Sequence, residues 1–492
     1  MKTGRTILKN TTVTLLGRAL TILLGILYIT ALSRHVGAAG MGMIATAAAV
    51  VPMASLLINF GLNDVTVRDV SVDKSRAGLY LPNLFLIRGG LILVFAVVIF
   101  TTVTVVGYPP ETTAIIFIYS FSYLFDELSA ICFAIFNAHE KMEFSAGLQT
   151  GRDLLNMVLS LTAIAFKADL YLIVGISVLV SLLKLIVSLV IVRRKFALAP
   201  KLQIDLSLSR RLLKTTLPFA ALLMISVFLQ NVDTFILSLF RSTQEVGWYG
   251  SANLLINYLL LVPTIFLQSV FPVFARFNAT SRDDLKTTYA LAFKFLLVLG
   301  FAMCFGIWVT ADKVVELIYG AGFEPASTAL RILSILLLWI FGFANGSLLN
   351  ATGGQGIATR FAVAGLILAV GLSLFLTPRF GLTGTALARI VPGALFFFPL
   401  TWISHRRLDL PLPYGAAFKT LIAALVMSGV SFLALNKHVS LIIVILLIAP
   451  LSYGICLVAL GVITRSEIGR IAKLFERKKI KNKDDAVIRG EL

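Results

Sequence analysis

The sequence predicts an all-α, polytopic membrane protein with about fourteen transmembrane helices, in two parallel six-helix lobes followed by two C-terminal helices. Composition, apolar segments and a weak internal repeat support this prediction. The chain has 492 residues, of which 58% are hydrophobic and 14% are charged, and its mean hydropathy is +0.93. So little polar material could not cover the surface of a water-soluble fold of this size. The lipid bilayer must therefore be part of its solvent.

The individual helices are predicted from apolar segments of about 20 residues, the length that spans a bilayer. These segments fall near 11–33, 43–63, 84–107, 113–138, 147–166, 171–192, 214–240, 248–272, 290–311, 326–351, 358–376, 383–404, 417–436 and 440–463. The first follows three basic residues, as in a signal peptide, but it is longer than a typical signal and no clear small-residue cleavage site closes it. We expect it to be a retained helix.

The orientation follows from the lysines and arginines, which collect in every second loop. Twenty-nine of them fall on one predicted side of the membrane and six in the loops of the other side. Because basic loops stay in the cytoplasm, we expect a multi-pass cell-membrane protein with both ends inside. The net charge of +19 is thus spread over loops and does not form a nucleic-acid-binding face, so we expect no nucleic-acid partner. We expect the basic linker and tail either to attract anionic membrane lipids or simply to determine topology.

A weak internal repeat divides the chain into two halves. At an offset of 205 residues Gly42 matches Gly247, and at an offset of 213 Asn137 matches Asn350. Six helices in each half give both lobes the same orientation, with a cleft between them that can open to either side by rocking. The predicted division is an N-lobe at 1–192, a basic cytoplasmic linker at 193–213, a C-lobe at 214–404, helices 13 and 14 at 405–463, and a basic cytoplasmic tail at 464–492.

Polar stripes on the first helix of each lobe predict residues that line the cleft. The stripes follow helical spacing and consist of Thr11, Thr14, Arg18, Thr21, Gly25 and Tyr28 on helix 1 and of Ser226, Gln230 and Asp233 on helix 7. An ionisable residue at the bilayer centre costs about 2.5–3.5 kcal/mol, so it should face a partner or water. Helix packing through small and hydroxylated residues is the alternative interpretation.

Three charged residues in the N-lobe are predicted to share one depth. Asp126 and Glu127 lie near the middle of helix 4, and Lys184 lies near the middle of helix 6. They form either a buried ion pair or a site where one carboxylate binds H⁺ or Na⁺ and drives transport. We expect no other cofactor.

A second layer of polar residues is predicted toward the outer face of the C-lobe. It comprises Asp233, Asn253, Asn257, Arg331 and Arg389. Arg18 and Arg88 lie instead toward the cytoplasmic end of the N-lobe. Cations at both depths suit an anionic headgroup that passes between them. Pairing of Asp233 with Arg331 or Arg389 is the structural alternative.

No short catalytic motif is present. The sequence contains no GxxxxGK[ST] phosphate loop, no HExxH and no GxSxG, and its four histidines are scattered. Its three cysteines are far apart, which argues against a disulfide framework or a zinc site. The outer loops are too short for an external catalytic domain, such as a sugar polymerase or ligase would need. We expect no enzyme and no metal site.

Several short motifs resemble those of polysaccharide (Wzx-type) flippases. They are the run EVGWYGSA at 245–252, NATG at 350–353, PRFGLTGTALA at 378–388, NAHEKM at 137–142, and the stretch 17–42. Each motif is weak alone, but their order and spacing agree over roughly residues 5–460. The resemblance implies the fold shared by multidrug (MATE), lipid II and oligosaccharidyl-lipid exporters.

The resemblance also implies a function: transport of an oligosaccharide on a polyprenyl diphosphate from the cytoplasmic to the outer leaflet by alternating access. The alternatives are a lipid II flippase, a MATE-type cation-coupled drug exporter, and a non-transporting scaffold of polysaccharide assembly. The partners implied are the lipid-linked oligosaccharide and a polysaccharide polymerase or other assembly proteins. We expect the chain to function as a monomer.

Overall fold

The computed structural model describes residues 2–196, 204–410 and 413–462, and their side chains except at 2–23, 217–219 and 221–222. Within these ranges all regular secondary structure is helical. This is the expected result for a chain in lipid, where every backbone polar group needs an internal hydrogen-bond partner. The predicted basic tail at 464–492 and residues 197–203 of the linker lie outside the described residues.

The helices occur in the predicted order, although most extend further into the loops. They are α1 (Lys2–Asn59), α2 (Leu62–Val72), α3 (Ala77–Val106), α4 (Pro110–Ala138), α5 (Met142–Ala165), α6 (Leu170–Lys195), α7 (Leu206–Phe240), α8 (Thr243–Thr280), α9 (Arg282–Tyr319), α10 (Glu324–Ser334), α11 (Gly342–Ala351), α12 (Gln355–Arg407), α13 (Tyr414–Asn436), α14 (Leu441–Ile443) and α15 (Ala449–Ala459). A 3-10 turn follows α10, and a π-helical turn joins α14 to α15.

Ten helical segments of the described chain are long and apolar enough to cross a membrane. A bent pair, Glu324–Trp339 with Gly342–Ala351, would raise the number to eleven if it forms one span. Two of the ten, Leu24–Val72 and Gln355–Arg407, have 49 and 53 residues, and each overlaps two of the predicted segments. α5 is long enough but is not among these segments. The protein is therefore a multi-span membrane protein, and the number fourteen stays a prediction.

Glycines divide the two longest helices. Gly37 in α1 has φ 68° and Gly381 in α12 has φ 58°, a left-handed conformation that favours glycine. A Cβ at Gly381 would also lie 1.9 Å from Oε1 of Glu245. The same oxygen accepts a hydrogen bond of 2.6 Å from the backbone N–H of Leu382. Glu245, at the start of α8, thus fixes the position where the second half of α12 begins.

Each lobe has its own apolar core. In the N-lobe, Val51, Ile99 and Ile115 belong to a core between α1, α3, α4 and α6. In the C-lobe, Phe274 and Leu296 belong to a core between α8, α9, α11 and α12. A further core contains buried residues of α1, α7, α8, α9 and α10 and therefore joins the two lobes. Such separate cores allow each lobe to keep its shape if the contact between them changes.

The lobes approach each other most closely where α1 crosses α8. A Cβ at Gly42 would lie 1.7 Å from the carbonyl oxygen of Thr243, and a Cβ at Gly247 would lie 1.9 Å from that of Ala38. The offset of 205 residues relates Gly42 to Gly247 and also Ala38 to Thr243. The crossing is therefore symmetric between the repeats, with backbone packed directly on backbone.

The last two spanning segments pack on the C-lobe through α9. The hydroxyl of Tyr453 in α15 donates a hydrogen bond of 2.8 Å to the carbonyl of Val298, and that of Ser428 in α13 donates one of 3.3 Å to Phe305. Met427 and Leu457 are buried in the core between these helices. α13 and α15 are thus attached to one lobe, outside the repeated six-helix pattern.

Candidate functional site

A charged cluster occupies the middle of the N-lobe. Nζ of Lys184 on α6 lies 2.7 Å from Oδ1 of Asp126 on α4, and the lysine side chain is 4% exposed. The predicted ion pair between these two residues is therefore present. Nη2 of Arg152 on α5 lies 3.4 Å from Oδ2 of the same carboxylate. Two cations thus share one carboxylate at the centre of three helices.

Glu127 belongs to a second pair directly beside the first. Its carboxylate lies 3.4 Å from Nη1 of Arg88 on α3, and the arginine also donates to the backbone carbonyl of Glu127. Nη2 of Arg88 donates a 2.6 Å hydrogen bond to Oδ1 of Asn63 on α2. The Arg88 side chain is fully buried. In this conformation it contacts protein groups, so its predicted role in a substrate cavity stays untested.

The polar face of α5 is a part of the site that the sequence analysis missed. Gln149 accepts a hydrogen bond of 3.3 Å from Lys184 and donates to Asp153 at 3.2 Å. Nη1 of Arg152 lies 3.2 Å from Oδ1 of Asp153. These residues follow helical spacing, as do those in the stripes on helices 1 and 7, so the same pattern search along 145–160 would have found them.

The C-lobe holds a buried pair between α7 and α12. Asp233 and Arg389 form an ion pair, with side chains 5% and 13% exposed. The hydroxyl of Tyr249 on α8 donates a 2.5 Å hydrogen bond to the same Asp233 oxygen. Arg331, the other predicted partner, instead pairs with Asp312 on α9. The structure therefore selects Arg389 from the two alternatives that the sequence left open.

The remaining predicted residues differ in exposure. Gln230 and Asn257 are exposed on α7 and α8, whereas Tyr28 and Asn253 are half-buried. A Cβ at Gly25, one turn from Tyr28, would lie 2.9 Å from the hydroxyl of Tyr258, so the stripe of α1 faces α8 at this level. The side chains of Thr14, Arg18 and Thr21 lie outside the described residues.

The electrostatics of the N-lobe cluster are balanced. The cluster contains equal numbers of positive and negative side chains, namely Arg88, Arg152 and Lys184 with Asp126, Glu127 and Asp153. Removing one member of a buried pair leaves an uncompensated charge, so the pairs are coupled. Asp153, Asp126 and Arg152 are 51%, 26% and 19% exposed, so water can reach these members of the cluster. In the described parts of the chain no group of three His, Cys, Asp or Glu side chains could hold a metal ion.

Comparisons with known proteins agree with this architecture. The family described as "Polysaccharide biosynthesis protein" matches residues 7–278. A probable low-salt glycan biosynthesis flippase of Haloferax volcanii, Agl15, is 23% identical over 212 residues, which are 42% of this chain and 44% of the relative. The match thus spans less than half of that curated relative.

Two solved structures share the fold. The lipid II flippase MurJ in an inward closed conformation has a TM-score of 0.70 at 16% identity and covers 88% of this chain and 95% of its own. An inward-facing MATE multidrug resistance transporter of the MOP superfamily has a TM-score of 0.61 at 17% identity, covering 78% and 94%. The family match extends over more than half of the 492 residues, through the N-lobe and into α8. This chain therefore belongs to the polysaccharide biosynthesis protein family of multi-span membrane proteins.

Proposed function

We propose that the protein is a secondary transporter that flips a polyprenyl-diphosphate-linked oligosaccharide from the cytoplasmic to the outer leaflet by alternating access. The exposure of Gln230 and Asn257 carries this proposal. Both lie inside spanning segments, on the helices that join the lobes. Polar side chains at such positions need water or a polar ligand, because lipid offers no hydrogen bonds. A hydrophilic substrate between the lobes supplies them.

The family match and the glycan flippase among the relatives favour a lipid-linked sugar as the substrate. The C-lobe arginines suit its diphosphate, since Arg389 and Arg331 can each exchange a carboxylate partner for a phosphate that enters the cleft. Transport itself involves no covalent step, so the residues bind and release and catalyse no reaction. The anionic lipids around the basic loops and a polysaccharide polymerase are the proposed partners of a monomer.

Ion coupling belongs to the same proposal. When Lys184 moves away from Asp126, the carboxylate loses its compensating charge and takes up H⁺ or Na⁺. Arg152 stays beside the carboxylate and limits this uptake. In vesicles, the H⁺ gradient and the Na⁺ gradient can be collapsed one at a time while substrate uptake is measured. Collapse of only one of the two gradients should abolish accumulation of the substrate. Accumulation that survives both would exclude coupling at this site.

The flipping assay uses the full chain in proteoliposomes with fluorescent undecaprenyl-diphosphate-linked N-acetylglucosamine in both leaflets. A membrane-impermeant quencher should reach only the outer-leaflet label in empty liposomes and should reach both pools when the protein is present. Quenching that stays at the empty-liposome level would refute the proposal.

Topology reporters at both ends test the proposed cytoplasmic location of the termini in the cell membrane, and reporters that face outward would refute it.

A lipid II flippase is the second candidate, because the MurJ structure covers 88% of this chain and the MATE structure covers 78%. The same assay with fluorescent lipid II distinguishes the two substrates. A MATE-type exporter should instead expel ethidium, and an assembly scaffold should move none of the three probes. The probe that moves fastest identifies the function.

A further inference from the structure

α5 has two faces of opposite chemistry. Its polar face carries Ser145, Gln149, Arg152, Asp153, Asn156 and Ser160, all within about 100° around the helix axis at 3.6 residues per turn. The opposite face carries Leu154, Leu155 and Val158, which are 41%, 36% and 53% exposed. An apolar exposed face on one side and a polar one on the other indicate that the helix separates lipid from water.

The polar face contacts the middle of two candidate membrane spans, at Asp126 on α4 and at Lys184 on α6. Asp153 lies eleven residues after the first residue of the 24-residue helix α5. At 1.5 Å per residue this places it about 16 Å along the helix from its start. Gln149 is exposed and the Asp153 side chain is 51% exposed. A carboxylate that faced lipid at this depth would be strongly unfavourable, because lipid cannot solvate its charge. The face therefore lines an aqueous space.

Its charge balance indicates which ligand it takes. Arg152 is shared between two carboxylates, those of Asp126 and Asp153, whereas each arginine of the C-lobe pairs has one carboxylate partner. The face therefore offers a diphosphate less positive charge than the C-lobe pairs do. It offers instead an alternation of acceptors and donors, from Lys184 to Gln149 and on to Asp153. Neighbouring amide and carboxylate groups match the hydroxyl groups of a sugar, each of which can donate and accept hydrogen bonds.

We propose that the polar face of α5 is the glycan-binding wall of the N-lobe, with Gln149 and Asp153 as the side chains that bind sugar hydroxyls. Arg152 is a positioning residue that holds Asp153 toward the cleft. This inference rests on the proposed function, since it requires a glycan as the transported group. It assigns the sugar to the N-lobe and leaves the diphosphate to cations elsewhere.

The first experiment asks whether the face meets water. Single cysteines replace Gln149 or Val158, which lie on opposite sides of α5, in a full-length chain in which Cys132, Cys304 and Cys456 are alanine. An impermeant, negatively charged thiol reagent should label Gln149→Cys about tenfold faster than Val158→Cys, because thiolate reactivity follows solvent access. Equal rates, in a background that still has native helicity, would overturn the proposal.

The second experiment asks whether the ligand is a glycan. The probes are undecaprenyl-diphosphate-linked N-acetylglucosamine and undecaprenyl diphosphate without a sugar. The glycolipid at twice its Kd should slow labelling of Gln149→Cys about threefold, and the sugar-free lipid should not. Equal protection by both would move the site to the diphosphate and overturn the inference.

The two proposals fail in different ways. Flipping of the glycolipid without protection of Gln149→Cys would overturn the role of α5 and leave the proposed function intact. Selective protection without flipping in any preparation would overturn the transport function while keeping the glycan site. Asp153→Asn should raise the KM for the glycolipid severalfold with kcat little changed, whereas a purely structural role would lower the amount of folded protein instead.

Discussion

Gly42 and Gly247 meet across the two lobes, and neither position has room for a side chain. A Cβ at either would lie less than 2 Å from a carbonyl oxygen of the opposite helix. Carbon and oxygen atoms approach to about 3.3 Å, so an added methyl group requires α1 and α8 to separate by roughly 1.5 Å. The cleft between the lobes can stay closed at this crossing only while both residues are glycine.

Gly247→Ala should therefore shift the protein toward the state in which the cleft is open at this crossing. Spin labels on Lys167→Cys, in the turn after α5, and on Arg379→Cys, on α12 beside its break at Gly381, should show a longer distance distribution by double electron–electron resonance, since both residues are exposed. Gly175→Ala is the matched control, because a Cβ there meets nothing within 4 Å. An unchanged distribution in Gly247→Ala would show that the crossing does not hold the lobes together.

The two members of the Asp126–Lys184 pair should differ in their effects. Asp126→Asn leaves the 4%-exposed lysine without its carboxylate and should destabilise the fold by roughly 3 kcal/mol. Lys184→Met should cost less, because Arg152 still compensates Asp126. Unfolding in detergent measures both, and the double variant should recover part of the loss. Equal losses in the single variants would contradict this account of the cluster.

Tyr249 should stabilise the C-lobe pair directly. Its hydroxyl donates to the Asp233 oxygen that Arg389 also contacts, in a fully buried environment. Tyr249→Phe removes one hydrogen bond to a charged group and should cost about 2 kcal/mol of unfolding free energy. Tyr319→Phe, which loses a hydrogen bond to a neutral carbonyl, is the control and should cost about half as much. The reverse order would argue against the pair as the main determinant.

The glycine at the break in α12 should be more sensitive to substitution than other glycines with positive φ. Gly381→Ala introduces backbone strain and also a steric clash with the Glu245 carboxylate. Gly353→Ala introduces backbone strain alone, since nothing lies within 4 Å of its Cβ position. The thermal midpoint of Gly381→Ala should fall further. If Glu245→Ala in the same chain does not recover the difference, contact with the carboxylate is not its cause.

The cap of α7 predicts a pH dependence outside the membrane. Hydrogen bonds from the hydroxyl of Ser207 and from the backbone of Leu208 hold the pKa of Asp205 below its usual range. A lowered folded-state pKa gives stability that is present above the unfolded value of about 3.9 and is lost as the pH falls through the folded value. The difference in thermal midpoint between the native protein and Asp205→Ala should thus shrink below about pH 4. A difference that is constant across this range would exclude the ionised cap.

The single helices, and the equal depth of residues on different helices, could be predicted from the sequence because they depend on local chemistry. Asp126 and Lys184 could be matched because both lie midway along apolar segments, and helix geometry converts that position into depth. Arg152 was missed because α5 was treated only as an apolar segment. The choice between Arg331 and Arg389 for Asp233 depended on how helices rotate about their axes, which packing determines. Gly42 and Gly247 were aligned as repeats, but alignment alone does not show that equivalent residues touch.

The attachment of α13 and α15 to α9 makes the two lobes unequal in the bilayer. In the proposed alternating-access cycle, a C-lobe that rocks carries these helices with it and displaces more lipid than the N-lobe does. Its motion therefore does more work against the lateral pressure of the membrane. Bilayer composition should in consequence set the resting balance between the two access states, even with the substrate and the ion gradient held constant.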